Sequence, residues 1–435
     1  MKVNKHQKIN LTNMFNPLPK SDDTFQFPLQ CIFLKTNGAW PLKNSKMTFN
    51  LLDRLYLFWA YSLIVLIALT CYMQVSFLFG AWGDILTVTE CGCTVFMGIH
   101  NLLRLIHLSF ERQSLKRLIG DFVHNIWIPK TKHERISKRC LQEMIFLRYI
   151  SLLQFILILL YIILPLLEIF TIEEGSAKPF PYNMKFPYDA NRRGAYPITY
   201  FLTSLAGFGV VTNLFSEDSL FAFFTTYTCG RLRLIQEDIS KILERGQTMA
   251  YKRNSDLNKH TSYKIHLLKV QKEYISQLIK IIKDHNTVIS SLLICMVGLQ
   301  IVAVDLTIAD SLKLFVYIVS ALSQLFILCW KGNDLILTSL EVSDEFYSCN
   351  WQGRPNDEVS LKLAQIFGEQ IPLHDFPTSI QFMKCIKFSI SRSQIPLVLT
   401  AMKFSALALP TFTRILSTSL SYFTLLQTLV ERSEQ

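Results

Sequence analysis

Charged residues are scarce in this 435-residue chain, where Asp, Glu, Lys and Arg together make up 18% of the sequence. Soluble globular proteins usually carry about 25%. Half of the residues are hydrophobic, and several apolar runs are as long as a bilayer is thick. The 16 Gly and 15 Pro form no repeat, which excludes collagen and low-complexity disorder. The composition therefore indicates a membrane protein rather than a series of soluble domains.

The common catalytic and nucleotide-binding motifs are also missing. The sequence contains no G-x-x-x-x-G-K-[ST], G-x-G-x-x-G, H-E-x-x-H or G-x-S-x-G pattern. Cys91-Gly-Cys93 is interpreted as a pair of small residues in a packed helix, because no cluster of further His or Cys ligands accompanies it. We therefore expect a protein that is not an enzyme and that binds no metal or other cofactor.

Seven segments are candidates to cross about 30 Å of hydrocarbon as a helix, which takes roughly 20 mostly apolar residues. The predicted spans are 55–79, 85–103, 149–170, 197–215, 287–306, 314–330 and 410–430. The second is the weakest, since it contains Glu90 and His100. It is counted because the long loops on its two sides would otherwise fall on contradictory sides of the membrane. The predicted fold class is an all-α membrane protein with seven transmembrane helices, six of them within residues 55–340.

The distribution of basic residues predicts the orientation of these spans. Of the 44 Lys and Arg, 35 lie in residues 1–54 and in the loops 107–148, 228–285 and 331–394, while 6 lie on the opposite side. Basic residues collect on the cytoplasmic side of a membrane. The N-terminus is therefore predicted inside and the C-terminus outside. The same distribution accounts for the net charge of +11 without a nucleic-acid partner.

Outside the bilayer, the pattern predicts a cytoplasmic N-terminal segment (1–54), a cytoplasmic loop (341–394) and a short extracellular tail (431–435). Residues 263–285 place apolar side chains at helical spacing and run directly into the fifth span. We therefore expect helices 4–6 to extend into a cytoplasmic anchor domain. The outer loop 171–196, rich in proline and aromatic residues, is expected to form a lid without regular structure.

The last predicted span is apolar enough to insert, yet one face of it is polar. The polar stripe consists of Ser417, Ser421, Thr424 and Thr428. Two interpretations stay open, because Ser and Thr are common where membrane helices pack together but also suit a water-filled pore lined by one helix from each of several subunits. In a pore, Leu425 would form a hydrophobic constriction that gates by dewetting. Gln427 and Thr428 would then solvate ions near the outer mouth.

Three stretches of the sequence carry recognisable patterns. They are Gly38-Ala39-Trp40-Pro41 before the first span, 346–351 (FYSCNW) after the sixth, and 391–401 (SRSQIPLVLTA) followed by 419–426 (SLSYFTLL). They resemble the Gly-x-Trp-Pro, Tyr-x-x-x-Trp and C-terminal signatures of insect odorant receptors. The resemblance implies an odour-gated, non-selective cation channel of four subunits, in which a tuning subunit assembles with a common coreceptor. It also implies a multi-pass protein of the plasma membrane, in the dendrites of olfactory sensory neurons.

The resemblance assigns roles to the C-terminal residues. It implies an anchor helix at 395–409, a pore-lining helix at 410–430 and a gate at Leu425. The coreceptor has Gln at the position of Thr428, whereas this chain has Gln427 one residue earlier, and this departure indicates a tuning subunit. The predicted pore and gate residues are Ser421, Thr424, Leu425, Gln427 and Thr428.

The odorant site implied by the resemblance lies among the outer halves of the second to fifth helices. No motif marks its residues, so they are inferred from depth, and plain packing is the other interpretation for each of them. The candidates are Thr87, Val88, Cys91, Leu157, Tyr161, Phe201, Ser204, Phe208 and Ile301. This apolar and aromatic set with a few hydroxyls predicts a small volatile with at most one or two hydrogen-bonding groups.

Two other receptor classes stay open at this stage. A gustatory receptor channel typically has Thr-Tyr in its last helix with Gln-Phe further on, which Ser421-Tyr422 and Gln427-Thr428 fit poorly. A metabotropic seven-helix receptor is opposed by the predicted inside N-terminus. It is also opposed by the missing Asp-Arg-Tyr-like triplet after the third span and the missing Asn-Pro-x-x-Tyr in the last span.

Overall fold

The computed structural model describes residues 27–28, 31–41, 51–82, 85–129, 133–170, 178–240, 308–349, 380–401 and 405–433. Within these residues the chain is almost entirely helical. The helices are α1 (Ile32–Thr36), α2 (Leu51–Gly80), α3 (Ile85–Phe110), α4 (Arg112–Asn125), α5 (Glu134–Glu168), α6 (Ala195–Ser240), α7 (Ile308–Ser348), α8 (Ile380–Ser393) and α9 (Leu409–Ser433). Two residues of β1 (Thr400–Ala401) pair antiparallel with β2 (Ser405–Ala406).

Five of the described helices, α2, α3, α5, α6 and α7, are long and apolar enough to cross a membrane. They coincide with predicted spans one to four and six, so the prediction of an all-α membrane protein is confirmed. The predicted span 287–306 and the segment 263–285 lie outside the described residues. The last predicted span lies within α9, part of whose side chains are also outside the described set. The number of crossings and their orientation stay predictions.

Three helices are much longer than a bilayer requires. The lengths of α5, α6 and α7 are 35, 46 and 41 residues, which corresponds to roughly 50–70 Å at 1.5 Å per residue. Extension of α6 and α7 was predicted, whereas the early start of α5 at Glu134 was not. The sequence there is polar overall, yet it forms an amphipathic helix. Its buried face carries Ile136, Cys140 and Met144, one at every fourth residue.

The extended parts of the helices share the main hydrophobic core of the bundle, and aromatic rings of α4, of the residues after it and of α6 meet there. Its rings are Phe122, Trp127, Phe223, Phe224 and Tyr227. Trp127 and Tyr227 stack with their centroids 4.7 Å apart. The Arg231 guanidinium donates to the carbonyls of Ile126 and Trp127 at 3.0 and 3.1 Å. Helix α4, which the sequence analysis did not predict, is thereby fixed against α6.

The predicted anchor helix at 395–409 is wrong. Helix α8 ends at Ser393, and the chain then runs without regular structure into the β1–β2 pair before α9 begins. Pro396 explains the break, because proline has no backbone N–H and disfavours helical geometry in the residue before it. The Leu407 N–H donates to the Leu399 carbonyl at 2.7 Å and closes this segment on itself. Residues 394–408 are called the connector below.

The Gly-Ala-Trp-Pro stretch ends α1 and docks it into the bundle. Gly38 has φ +78°, and the backbone N–H groups that follow it, including that of Trp40, return to the Leu34 carbonyl as in a helix C-cap. Trp40 is completely buried. The Asn37 side chain donates to Thr212 Oγ1 of α6 at 2.9 Å. The motif therefore closes the N-terminal segment against α6, the longest of the described helices.

Gly38→Ala is expected to destabilise the protein by about 1–3 kcal/mol, because a side chain is strained at positive φ and overpacks this contact. A Cβ at Gly38 would lie 2.7 Å from the Cα of Ala60 in α2. Thermal unfolding of the detergent-purified chain measures the effect. Gly194→Ala is the control, since no atom lies within 4 Å of a Cβ there. Equal unfolding temperatures for the two variants would contradict the prediction.

Candidate ligand-binding cavity

A cavity lies inside the bundle, between helices α2, α3, α5, α6 and α7. Its volume is about 50 Å³. One side of it is formed by α6, where residues 203, 206, 207, 210 and 211 follow the three- and four-residue spacing of a helix face. Three of these residues are Ala206, Gly207 and Thr203. Their small side chains leave the space that the cavity occupies.

The segment 178–194 between α5 and α6 closes the cavity and is called the cap segment. It contains no helix or strand, as was predicted for the outer loop. Tyr182 and Met184 of the cap segment line the cavity. The Tyr182 ring stacks on Tyr161 of α5, with the centroids 5.6 Å apart. A segment outside the helices therefore contributes to the wall of an internal cavity.

The surface of the cavity wall is mostly apolar, and its hydroxyl and amide groups are uncharged among the described residues that line it. Gln74 Nε2 donates to Thr94 Oγ1 at 3.4 Å, and Thr70 Oγ1 donates to the Ile67 carbonyl at 2.8 Å. A wall without charge cannot compensate for the desolvation of an ion. The cavity therefore suits a small, neutral and mostly apolar molecule with one or two hydrogen-bonding groups.

Two of the candidate site residues inferred from the sequence, Leu157 and Tyr161, line the cavity. Cys91 lies just behind the wall, with its Sγ 3.7 Å from the Gln74 carbonyl. Thr87 and Val88 are half-buried at the start of α3, away from the lining residues.

The other candidates lie elsewhere. On α6, the Phe201 side chain is 64% exposed. Phe208 packs on Phe33 and Phe155 with centroids 6.1 Å away from each, and Ser204 lies outside the lining face. Ile301 is outside the described residues.

Residues of α2 and α7 that line the cavity were missed by the sequence analysis. Gln74 and Thr70 are buried polar residues one turn apart in a span without charge, and this pairing was a usable signal. Tyr317 of α7 donates to the Cys93 carbonyl at 3.4 Å. No pattern near it marks it as part of the wall. Among the described residues, no group of His, Cys, Asp and Glu is arranged to hold a metal ion.

A buried ion network lies next to the cavity and joins three helices. Arg104 of α3 contacts Glu217 and Asp218 of α6 at 2.5 and 2.9 Å. Gln324 of α7 donates to Asp218 at 2.8 Å, and Asn213 donates to Glu217 at 2.7 Å. The three charged side chains are each less than 10% exposed. The network therefore fixes α3, α6 and α7 relative to one another.

A second ion cluster joins the extended parts of α5, α6 and α7. Lys331 is completely buried and donates to Glu143 at 2.6 Å. Arg233 lies 3.6 Å from Glu143 and 3.0 Å from Asp334. The next residue along α7, Gly332, packs directly on Leu407 of the connector. This cluster therefore holds α7 where it meets the chain leading into α9.

Helix α7 contacts both the cavity and the base of the last helix. Tyr317 lines the cavity. Further along α7, Phe326 packs against Phe412 of α9 with the centroids 5.6 Å apart, and Ser339 accepts a hydrogen bond from the Leu397 N–H of the connector at 2.9 Å. One continuous helix therefore links the two regions.

The polar stripe of α9 faces away from the described part of the bundle. Ile415 and Ser419 are buried on the side that meets α7. The stripe residues Ser417, Ser421, Thr424 and Thr428 are exposed. The side chains of Leu425 and Gln427 lie outside the described set. The stripe is therefore on a surface that this chain does not cover with its own described helices.

Comparisons with known proteins identify the family. The family model described as 7tm Odorant receptor matches residues 84–420. Odorant receptor 13a of Drosophila melanogaster is 38% identical over 414 residues, covering 92% of this chain and 95% of that protein. The structure of the olfactory receptor OR5 from Machilis hrabei in complex with eugenol matches with a TM-score of 0.73 at 14% identity, covering 92% of this chain and 97% of that one. The fold is thus shared, and the chain belongs to the insect odorant receptor family, whose members are receptors rather than enzymes.

Proposed function

We propose that the chain is the odorant-binding tuning subunit of a ligand-gated, non-selective cation channel. A small neutral volatile binds in the cavity, and α9 lines a central pore together with the equivalent helices of other subunits. The observation that carries the proposal is the path of α7. This helix contributes Tyr317 to the cavity wall and Phe326 to the contact with α9.

The chemistry of the cavity supports the binding step. Its uncharged wall matches a ligand such as the eugenol bound to the Machilis receptor. A ligand can shift gating only by its differential affinity for the open and closed arrangements. Because Tyr317 and the contact to α9 belong to one helix, a ligand that changes the packing around Tyr317 biases the position of α9.

The exposed stripe supports the assignment of α9 to the pore. Hydroxyl side chains on an uncovered face suit a water-filled axis shared by several subunits, with Leu425 as the hydrophobic constriction. The partners are a common coreceptor subunit and the lipid bilayer. By the distribution of Lys and Arg, the N-terminus lies in the cytoplasm and the C-terminus outside the cell. The site of action is the plasma membrane of the olfactory sensory neuron.

Leu425→Ala is expected to raise the basal current or alter ion permeation in cells that co-express a coreceptor, because a smaller side chain weakens a dewetting gate. Whole-cell recording with a panel of volatiles, with G-protein signalling blocked, measures the effect and separates a channel from a metabotropic receptor. Leu420→Ala is the control, since Leu420 is an exposed leucine about 140° around α9 from Leu425. Unchanged gating and permeation in Leu425→Ala would contradict the assignment of α9 to the pore. Loss of the odour-evoked currents under the G-protein block would contradict the channel function.

A further inference from the structure

We propose that Tyr182 of the cap segment determines which ligands the receptor accepts, because its ring forms part of the cavity wall and limits the length of the bound molecule. Gly207 of α6 is the position that makes room for this ring. The inference rests on the proposed function of the cavity as the ligand site. It deepens that function by assigning the size limit to one side chain outside the helices.

The backbone on both sides of Tyr182 is held in place. The Lys185 N–H donates to the Met73 carbonyl of α2 at 3.2 Å. On the other side, the Cys91 thiol of α3 lies 3.8 Å from the Asn183 carbonyl, a longer contact to sulfur. Two helices thus fix the cap segment immediately beside Tyr182. A side chain held in this way has few alternative positions and can act as a fixed wall.

Aromatic packing holds the rest of the cap segment. The Phe180 ring lies 4.8 Å from Phe186 and 5.0 Å from Tyr196 of α6, measured between centroids. The hydroxyls of Tyr188 and Thr199 are 2.8 Å apart. The segment therefore packs as a unit on the start of α6, which explains why it can place Tyr182 reproducibly.

Gly207 faces Tyr182 in the way that a tightly packed pair requires. A Cβ at Gly207 would overlap the Tyr182 hydroxyl and lie 2.7 Å from the ring carbon that carries it. On its other side the Tyr182 ring is stacked on Tyr161, so it cannot retreat in that direction. Glycine inside a helix costs about 1 kcal/mol relative to alanine. The close approach of the Tyr182 ring gives that cost a structural reason.

The chemistry of Tyr182 fits the ligand class predicted for the cavity. Burial raises the pKa of the Tyr182 hydroxyl above its ordinary value, so the group stays protonated and adds no charge to the cavity wall. The ligand is then a small uncharged molecule, such as an alcohol, whose apolar chain must end where the Tyr182 ring begins.

A series of straight-chain primary alcohols from butanol to decanol measures the ligand length that the cavity accepts. The measurement is the thermal stabilisation of the purified full-length chain by each alcohol. In Tyr182→Ala, alcohols longer than the wild-type optimum are expected to bind better, by about fourfold for each CH₂ group that the enlarged cavity buries. Tyr182→Phe keeps the ring and is expected to keep the wild-type optimum. An optimum that stays unchanged in Tyr182→Ala would overturn the proposal.

Gly207→Ala tests the pairing itself. The affinity for the best wild-type alcohol, obtained from its thermal stabilisation of the chain, is expected to fall at least tenfold, because the added methyl displaces the Tyr182 ring. In the Tyr182→Ala background the same change is expected to have little further effect, since the clashing group is gone. Gly120→Ala in α4 is the control, because no atom lies within 4 Å of a Cβ there. An effect of Gly207→Ala that is the same in both backgrounds would overturn the proposal.

Currents recorded from the same variants distinguish a failure of the proposed channel function from a failure of the Tyr182 assignment. If the alcohols stabilise the chain with the expected dependence on Tyr182 and yet no variant conducts, the proposed channel function fails and the assignment of Tyr182 stands. If no alcohol stabilises the wild-type chain, the assignment of Tyr182 is overturned.

Discussion

Arg104→Ala is expected to lower the folded yield of the receptor sharply. The change removes the guanidinium that contacts both Glu217 and Asp218 and leaves two carboxylates buried without a counter-charge. Breaking a buried ion pair by removing one partner typically costs about 3–5 kcal/mol. This is a large share of the roughly 5–15 kcal/mol by which folded proteins are stable. The measurement is the yield of monodisperse protein in size-exclusion chromatography, together with surface labelling of intact cells.

A triple variant tests whether the unbalanced charge or the lost side-chain volume causes the defect. The triple variant Arg104→Met, Glu217→Gln, Asp218→Asn removes all three charges at nearly constant volume, and it is expected to restore much of the folded yield. Lys138→Ala is the matched control, because Lys138 pairs with Glu134 on the surface, where both side chains are about 70% exposed. Such a pair contributes at most about 1 kcal/mol. Wild-type yield for Arg104→Ala, or a neutral triple that folds no better than it, would contradict the prediction.

Composition and periodicity predict the membrane helices well, because crossing hydrocarbon requires long apolar runs that local sequence alone reveals. They do not reveal what a lone charge within such a run is for. Arg104 stands in the sequence as an isolated basic residue in a hydrophobic segment. Its partners, Glu217 and Asp218, lie more than 100 positions away. Only the packing of α3 on α6 brings the three residues together.

The candidate site shows the same contrast between what the local sequence predicts and what helix packing determines. Depth along a span can be read from the sequence, and it placed Leu157 and Tyr161 in the cavity wall. The rotation of a helix about its own axis depends on its neighbours. The inferred residue Phe208 therefore lies beside the lining residue Gly207 rather than in the wall. Tyr182 could not be placed at all, because irregular segments carry no periodicity that indicates where they fold.

The connector differs from the anchor helix that the family resemblance implied. The resemblance implied one continuous anchor helix before α9, but Pro396 breaks it and the short β1–β2 pair takes its place. The connector is fixed to α7 at both ends, through Ser339 to Leu397 and through Gly332 to Leu407. Movement of α7 must therefore carry the start of α9 with it.

Gly332→Ala is expected to silence the channel while leaving ligand binding intact. A Cβ at Gly332 would overlap the Leu407 carbonyl oxygen and lie 2.8 Å from the Leu407 Cβ. Because backbone atoms cannot rotate away as a flexible side chain can, α7 and the connector must separate. Overpacking of this kind typically costs about 1–3 kcal/mol, which a bundle held by two ion networks can absorb. The contact through which α7 is proposed to move α9 is then lost.

The expected result is a fall of at least tenfold in the maximal odour-evoked current at equal surface expression, with ligand-induced thermal stabilisation changed by less than about twofold. Binding is spared because Tyr317, the described lining residue of α7, lies about 15 residues or roughly 22 Å of helix away from Gly332. Gly80→Ala at the end of α2 is the control, since a Cβ there meets nothing within 4 Å. If current and stabilisation fell together, the substitution would be damaging the whole bundle. If neither fell, α9 would be moved by some contact other than the one between α7 and the connector.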